Sequence, residues 1–317
     1  SKHQLNKMNH ASYLALGAHI EAIRLAASTF GYQIETQLLF QRGAEISQWA
    51  KVSFFQTAQK QDTLSLQIPR RATDRRPYAG GQIPAEVIQQ IETWKSEFPN
   101  CTVHIQKNIS SNLLSYVLKC EELLWKSSTI IKDLGKWVRL SKKEISERSD
   151  GMSWKNIGAT YLEAQFFKLI RLFPNLPNLL WSFGFGAKIR QQNLSLLNSS
   201  AALICYSTKE INPENLCKLG ELSYRIWLLL TSQGFAMQPF TYCSLSIADL
   251  ISGAEMTTQE QNLFSKGLQV VREYFKFDSD SIPVWIFRTG KSTELPVEMR
   301  TPRRKVDLIQ PVSISVI

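Results

Sequence analysis

Histidine and paired cysteine are what this chain most lacks. Only His3, His10, His19 and His104 occur in 317 residues, too scattered to suggest ligand geometry, so no metal site is read. Cys101, Cys120, Cys205, Cys217 and Cys243 are odd in number and never fall in a Cys-x-x-Cys spacing. That argues against a disulfide frame or a zinc site and for reduced thiols in a cytoplasmic compartment. No run is long and apolar enough to span a bilayer. The polar start Ser1–His10 has no apolar core behind a basic tip, so no secretory signal is read and no membrane partner is expected. A Walker-type glycine loop, a nucleophile-elbow serine and a paired-carboxylate signature are all missing, which removes the commonest phosphotransfer and hydrolase readings.

What is present is a globular composition, 44% hydrophobic and 20% charged, with a net charge of +10. The length suits one large domain or two modest ones. The basic residues spread over the chain and gather only at 70–76 and 300–305. Two compact knots suit a phosphate-bearing small molecule better than a polynucleotide groove, so no nucleic acid is expected. The first knot, Arg70–Tyr78, reads Arg-Arg-Ala-Thr-Asp-Arg-Arg-Pro-Tyr. Its Arg71, Thr73 and Arg75 offer two planar forks and a hydroxyl, which suit a phosphate monoester. A solvated basic loop is the alternative reading.

In chain order, Ala11–Phe30 reads as a helix, with Asn9 or Ser12 as cap and Gly31 in the left-handed position at its end. Its small residues Ala15, Gly17, Ala18, Ala22, Ala26 and Ala27 admit close approach by another helix. Strands are predicted at Tyr32–Phe40, Val52–Gln56 and Leu64–Ile68, a helix at 84–98, and a strand at Thr102–Gln106. A mostly helical block runs from Ser111 to Gln192, broken at Asp150-Gly151, Pro174, Pro177, Gly184 and Gly186. A buried strand follows at Ala201–Ser207, then a helix at Pro213–Gln233, a strand at Phe235–Tyr242, a helix at Thr258–Phe275 and a strand at Pro283–Arg288. Val312–Ile317 alternates weakly, as an edge strand would.

The two long helices echo each other. Leu16, Gly17, Ile23, Leu25 and Gly31 match Leu219, Gly220, Ile226, Leu228 and Gly234 at one constant offset, which points to two related halves.

With these pieces in order the chain resembles the flavin-dependent nitroreductases. The resemblance is closest to divergent members in which two halves fuse into a pseudo-dimer, and to the nitroreductase-like C-terminal part of proteins that begin with a ThiF/MoeB-type adenylating domain. It is carried by Ser12–Ala18 with Ile20–Ala27, Arg71–Tyr78, Trp137-Val138-Arg139, Asp150-Gly151-Met152, Gly220 with Arg225–Leu228, Gly234–Pro239 and Phe287–Gly290. The resemblance implies an α+β fold of two halves, 1–69 (incomplete at its start) and 70–317, each with helices around a small, mostly antiparallel sheet. It also implies that the helices at 11–30 and 213–233 pack together near a pseudo-twofold axis.

It further implies FMN as cofactor and NAD(P)H as electron donor to an electron-poor organic acceptor. Arg71 and Thr73 would hold the phosphate or ribityl chain, and Arg75 would face the N1/O2 side of the flavin. Gly234, Met237, Gln238 and Pro239 would pass near the ring, and Arg303 or Arg304 would complete the phosphate site. A small-molecule acceptor and an upstream adenylating domain are the partners implied, with the dimer-like interface internal to one chain. The family's Pro-Ser-x-x-Asn-x-Gln-Pro-Trp segment does not occur here. Either the sequence lacks its beginning, or the segment is absent and flavin binding is impaired. The alternative function is a catalytically inactive domain that sequesters flavin or acts as a scaffold, fused to the adenylating domain. Trp125, Trp137, Trp181 and Trp227 fall at helical spacing among Leu and Ile, which reads as core packing rather than flavin stacking. Phe183 and Phe185 would line or cover a pocket, and Glu163 would pair with an arginine.

Overall fold

In the computed structural model, which describes residues 4–39, 49–58, 61–148 and 150–301, the small residues after position 10 form α1 (His10–Ser28), which ends where Gly31 takes φ +75°. Asn9 holds the N-cap position, but its side chain makes no capping bond. The Asn6 side chain instead accepts from the Ala11 N–H at 2.9 Å. β1 (Tyr32–Leu38) and β2 (Ala50–Gln56) form an antiparallel hairpin, with Tyr32 opposite Gln56.

The strand predicted at Leu64–Ile68 is a 3₁₀ turn, Thr63–Gln67. Asp62 accepts from the Leu64 N–H and starts the turn, which buries Leu64 and leaves Leu66 61% exposed. A strand would have put both on one face.

α2 (Ala85–Lys95) and β3 (Cys101–Gln106) follow as predicted. The helical block comprises α3 (Ser111–Lys126), α4 (Ser128–Gly135), α5 (Lys142–Glu147), α6 (Tyr161–Leu172), α7 (Leu176–Leu180) and α8 (Phe185–Asn198). A two-residue parallel pair, β4 (Val138–Arg139) with β5 (Met152–Ser153), interrupts it at the Asp150-Gly151 break. The rest of the chain is β6 (Ala202–Thr208), α9 (Pro213–Ser232), β7 (Phe235–Pro239), α10 (Thr241–Ile251), α11 (Thr258–Phe275) and β8 (Ile282–Lys291). The strand expected to reach Tyr242 stops at Pro239, because the Phe240 N–H donates to the Ile286 carbonyl at 2.7 Å and the chain then turns into α10, a helix the sequence pattern did not reveal. Val312–Ile317 lies outside the described residues.

The fold is α+β. Its main sheet has the order β3-β6-β8-β7, antiparallel throughout. All seven residues of β6 are buried, so both faces of the sheet are covered. Ala202, Ile204 and Tyr206 point into a core shared with α1, α2 and α9, which includes Leu14, Leu219, Trp227 and Phe287. Leu203 and Cys205 point the other way, into a core with α3, α10 and α11 that includes Tyr116, Phe264 and Val271. The period-2 alternation of one strand thus fills two separate layers.

α1 packs directly on α9, as the resemblance implied. A Cβ on Gly17 would overlap the Cys217 carbonyl, and one on Gly220 would overlap the Leu14 carbonyl. Leu14 and Cys217 stand at the same offset as Gly17 and Gly220, so the contact is reciprocal, as a two-fold relation requires. Farther along the same interface lies an ion network. Arg225 donates to the fully buried Glu21 at 2.8 Å and to Glu97 at 2.8 Å, while Arg24 pairs with both Glu21 and Glu221.

Candidate functional site

The arginine segment lies along the open edge of the main sheet. Thr73 forms a parallel bridge with Met237 of the edge strand β7, and the Asp74 N–H donates to the Met237 carbonyl at 3.2 Å. A few residues on, the Ala79 N–H donates to the Lys291 carbonyl and the Lys291 N–H to the Gly80 carbonyl, each at 2.8 Å. The segment is therefore backbone-tethered at both ends, and it covers an edge that would otherwise present unpaired amides.

In extended backbone Arg71, Thr73 and Arg75 alternate with Ala72 and Asp74. Their side chains reach different neighbours. The Arg71 guanidinium lies over two α9 rings, 4.6 Å from the Trp227 centroid and 5.4 Å from that of Tyr224. Arg75 donates to the Asn156 carbonyl at 2.9 Å and contacts Met152 Sδ at 3.3 Å, and burial lowers its pKa. Arg76 grips Asp74 with two of its nitrogens, at 3.0 and 2.8 Å. Burial works to raise the Asp74 pKa, but the bonds from Arg76 and Ser292 outweigh it and hold the carboxyl below its ordinary value.

The sequence reading did not place Arg288 in the site, although it is the most enclosed cation there. Fully buried on β8, it donates to Gln238 Oε1 at 2.7 Å, the Arg76 carbonyl at 2.8 Å and the Leu196 carbonyl at 3.3 Å. Its guanidinium carbon sits 3.9 Å from the Tyr78 ring centroid. These acceptors are neutral, and burial lowers the arginine's pKa. The signal was there to be read: Arg288 is the one charge in the apolar run Pro283–Gly290.

Of the β7 residues proposed for the site, Gly234 takes φ +71° and borders a small cleft of about 110 Å³ together with Arg70, Asp74, Ser292 and Arg300. Met237 is buried in the core, Gln238 is engaged by Arg288, and Pro239 ends the strand opposite Phe287. Arg303 and Arg304 lie outside the described residues. Arg300, from the same basic knot, donates to the Pro69 carbonyl at 3.3 Å and to Glu294 at 2.8 Å. The two knots therefore meet. Arg70 and Arg300 line one small cleft with Asp74 and Glu294, and Arg76 pairs with Asp74 beside it, a local surplus of positive charge that favours an anion, whereas Arg71, Arg75 and Arg288 turn to Trp227, Asn156 and Gln238.

On the far side of Arg75 lies a larger apolar cavity, about 560 Å³, walled by Trp125, Met152, Gly158, Phe166, Phe167 and Phe185. That volume falls within the range of about 300–1,000 Å³ usual for small-molecule sites. Phe185 lines it as anticipated, whereas Phe183 is 85% exposed. Trp227 is core and Trp125 and Trp181 are half-buried, but Trp137 is exposed, because the β4 turn carries it out of the helical layer. The expected charge partner of Glu163 is Lys188, at 2.7 Å, rather than an arginine.

Next to Trp125 on α3, burial pushes the carboxyl of Glu121 up to about 7 against hydrogen bonds from Trp125 and Asn193. The folded state binds this proton more tightly than the unfolded chain does. Its stabilising effect is therefore complete at low pH and is lost as pH rises from about 4.5 to about 7, about 3 kcal/mol in all. His104, lowered by burial to about 4, tilts an overlapping window the other way. The measurement is thus the difference in urea-unfolding free energy between wild type and Glu121→Gln across pH 4 to 8. That difference should shift in favour of the variant as pH rises, and a flat difference would refute the buried proton.

Asp249, His10 and Ser252 also fall in line. Asp249 Oδ1 is 3.0 Å from His10 Nδ1, and His10 Nε2 is 3.3 Å from the Ser252 hydroxyl. The first pair is close without being aligned as a hydrogen bond. Ser252 caps the C-terminal end of α10, where carbonyls rather than N–H groups face outward, so no oxyanion donors accompany the serine. The trio ties the start of α1 to α10. Among the described residues no cluster of His, Cys, Asp or Glu could hold a metal ion, and no helix is long and apolar enough to cross a membrane. The cysteines are all buried, and burial raises the Cys101 and Cys217 thiols to about 12.

No family profile and no curated protein matches this chain. Among solved structures it is similar to an FMN-bound nitroreductase of Desulfitobacterium hafniense, at 13% identity and a TM-score of 0.40 over 78% of this chain and 95% of that one. It is similar also to the FMN-dependent nitroreductase NfnB of Mycobacterium smegmatis in complex with NADPH, at 11% identity and a TM-score of 0.40 over 75% and 91%. Likeness at this level carries no argument about activity, which must come from the chain's own residues.

Proposed function

We propose that this chain is an FMN-binding oxidoreductase of the nitroreductase type, passing electrons from NAD(P)H to an electron-poor organic acceptor. The observation that carries the reading is the Thr73–Met237 bridge. It joins two segments far apart in sequence, Arg71–Arg75 and Gly234–Pro239, which the resemblance independently assigns to the cofactor. The reciprocal α1–α9 contact supports two nitroreductase-like halves dividing near residue 69, and an upstream adenylating domain is the partner that the resemblance suggests.

The surplus of guanidinium groups fits the phosphate end of FMN. The adjoining cleft, about 110 Å³, is below the range of about 300–1,000 Å³ typical of whole-ligand sites, so the described residues fit that end alone. When bound, FMN supplies hydride transfer and gathers negative charge at N1 and O2 on reduction. For its part, this chain offers Arg71, held flat by Trp227, as a preformed fork for phosphate oxygens. The Asp74–Arg76 pair and buried Arg288 hold the backbone of that loop in place.

Arg71→Ala should weaken FMN affinity by about 1.5–3 kcal/mol, a tenfold loss or more. Titration of FMN followed by quenching of flavin fluorescence measures it, and unchanged affinity would remove Arg71 from the site. A second reading, a flavin-sequestering or scaffold domain without turnover, is favoured by the engagement of Arg75 and Arg76 with protein groups. Visible spectra of the FMN-loaded protein before and after anaerobic NADPH or NADH separate the two. Bleaching supports the enzyme, bound but unreduced flavin supports sequestration, and failure to bind FMN at saturation defeats both in favour of a scaffold.

A further inference from the structure

The outer face of helix α6 and the turn that follows it carry large apolar side chains left open to solvent. Phe166, Phe167 and Ile170 line the cavity of about 560 Å³. Leu162, Leu169 and Leu172, spaced seven and three residues apart, form a stripe on the outer face, with Leu162 79% and Leu172 71% exposed. Phe173, Leu179 and Phe183 continue the exposed apolar surface into the next turns. Large exposed apolar patches on a folded chain mark a contact surface.

Charge decides which contact. Between positions 155 and 198 Lys155, Lys168, Arg171, Lys188 and Arg190 are set against Glu163 as the only acid. Glu163 neutralises Lys188 at 2.7 Å and Glu144 neutralises Arg171 at 2.8 Å. Lys155, Lys168 and Arg190 make no ion pair among the described residues. Of these, Lys168 lies within the outer face itself, bonded only to Gln165. Leucine and phenylalanine interspersed with lysine and arginine form the surface that an acidic lipid headgroup layer recognises: apolar groups enter the acyl boundary while cations meet phosphates. A second copy of the chain seated on this face would oppose like charges.

We propose that the outer face of α6 and the adjoining turns to Phe183 form a peripheral docking site for an anionic lipid surface. This contact lies in the plane of the bilayer and needs no membrane-spanning helix. It does not depend on the flavin reading. It would also place the mouth of the apolar cavity beside a lipid phase, since the same helix separates the two.

Co-sedimentation with vesicles of phosphatidylcholine, with and without phosphatidylglycerol, tests this directly. The wild-type chain should pellet with the phosphatidylglycerol vesicles at low salt and be released by high salt. Leu162→Glu with Leu172→Glu should lower the partition coefficient by about tenfold or more. Lys168→Glu with Arg190→Glu should abolish the preference for the anionic vesicles. All four positions are exposed or half-exposed, so unchanged thermal melting of both variants keeps the test free of misfolding. The proposal fails if wild type stays in the supernatant with both vesicle types, or if the leucine variant pellets as wild type does. It fails equally if light scattering shows a dimer that the leucine variant breaks, because that would assign the face to a second copy.

Discussion

Gly220→Ala should destabilise the protein by about 3 kcal/mol or more, a larger effect than an alanine in a helix usually has. In an isolated helix the change would stabilise by about 0.5–1 kcal/mol, since glycine loses more backbone freedom on folding. Here the new Cβ would fall on the Leu14 carbonyl, which belongs to the hydrogen-bonded backbone of α1 and cannot rotate away as a side chain would. Relief requires the two helices to part, and the reciprocal contact of Gly17 with the Cys217 carbonyl would part with them. Separation would also stretch the charge network at Glu21, whose carboxylate is fully buried, and an uncompensated buried charge costs several kcal/mol. Gly135→Ala is the control, because its Cβ would meet only the flexible Arg171 side chain at 3.3 Å. Urea unfolding of both variants measures the contrast. Equal midpoints would show that the α1–α9 backbone contact is not as close as described.

Arg288→Met should cost about 3 kcal/mol and loosen the arginine segment. Methionine fills the space, but it leaves Gln238 Oε1 and the Arg76 carbonyl without their donor in a buried site, while the Leu196 carbonyl keeps the Ser199 and Ser200 hydroxyls. The Arg76 carbonyl lies in the segment and Leu196 at the end of α8, so one side chain pins two separate pieces of chain to β8. Arg288→Lys should rescue little. A single ammonium cannot reach three acceptors in a plane while lying flat on the Tyr78 ring. Limited trypsin digestion reads the loosening, since the bonds after Arg71 and Arg75 become accessible when the segment lifts off β7. Wild-type resistance in Arg288→Met would place the restraint elsewhere, in the Thr73–Met237 bridge or the Asp74–Arg76 pair.

The linear pattern determined the elements that bury one continuous face. The helices α1 and α9, their glycines and the strands β6 and β8 follow from apolar periodicity and helix-ending glycines, which act within a few residues, whereas the α+β class was implied by the family resemblance. The mutual packing of α1 and α9 was implied by the resemblance, and the small residues of α1 showed that a helix could approach it closely. Where local signals were ambiguous, tertiary context decided. Leu64, Leu66 and Ile68 alternate as a strand would, yet Asp62 caps a 3₁₀ turn that buries Leu64 alone. After Pro239 the chain turned into α10, where Phe240 closes on the Ile286 carbonyl and the Ser244 hydroxyl of α10, rather than a continued strand, accepts from the Ile286 N–H. The arginine segment was recognisable by composition, but the destination of each guanidinium was not. Arg71 found its rings on α9 and Arg75 its carbonyl at Asn156, hundreds or tens of residues away, and a buried donor takes whichever acceptor the fold brings within about 3 Å. Arg288 shows the division most sharply. Sequence marked it as a charge inside an apolar strand, and only the assembled sheet, with Gln238 beside it and Tyr78 above it, turned that anomaly into the anchor of the site.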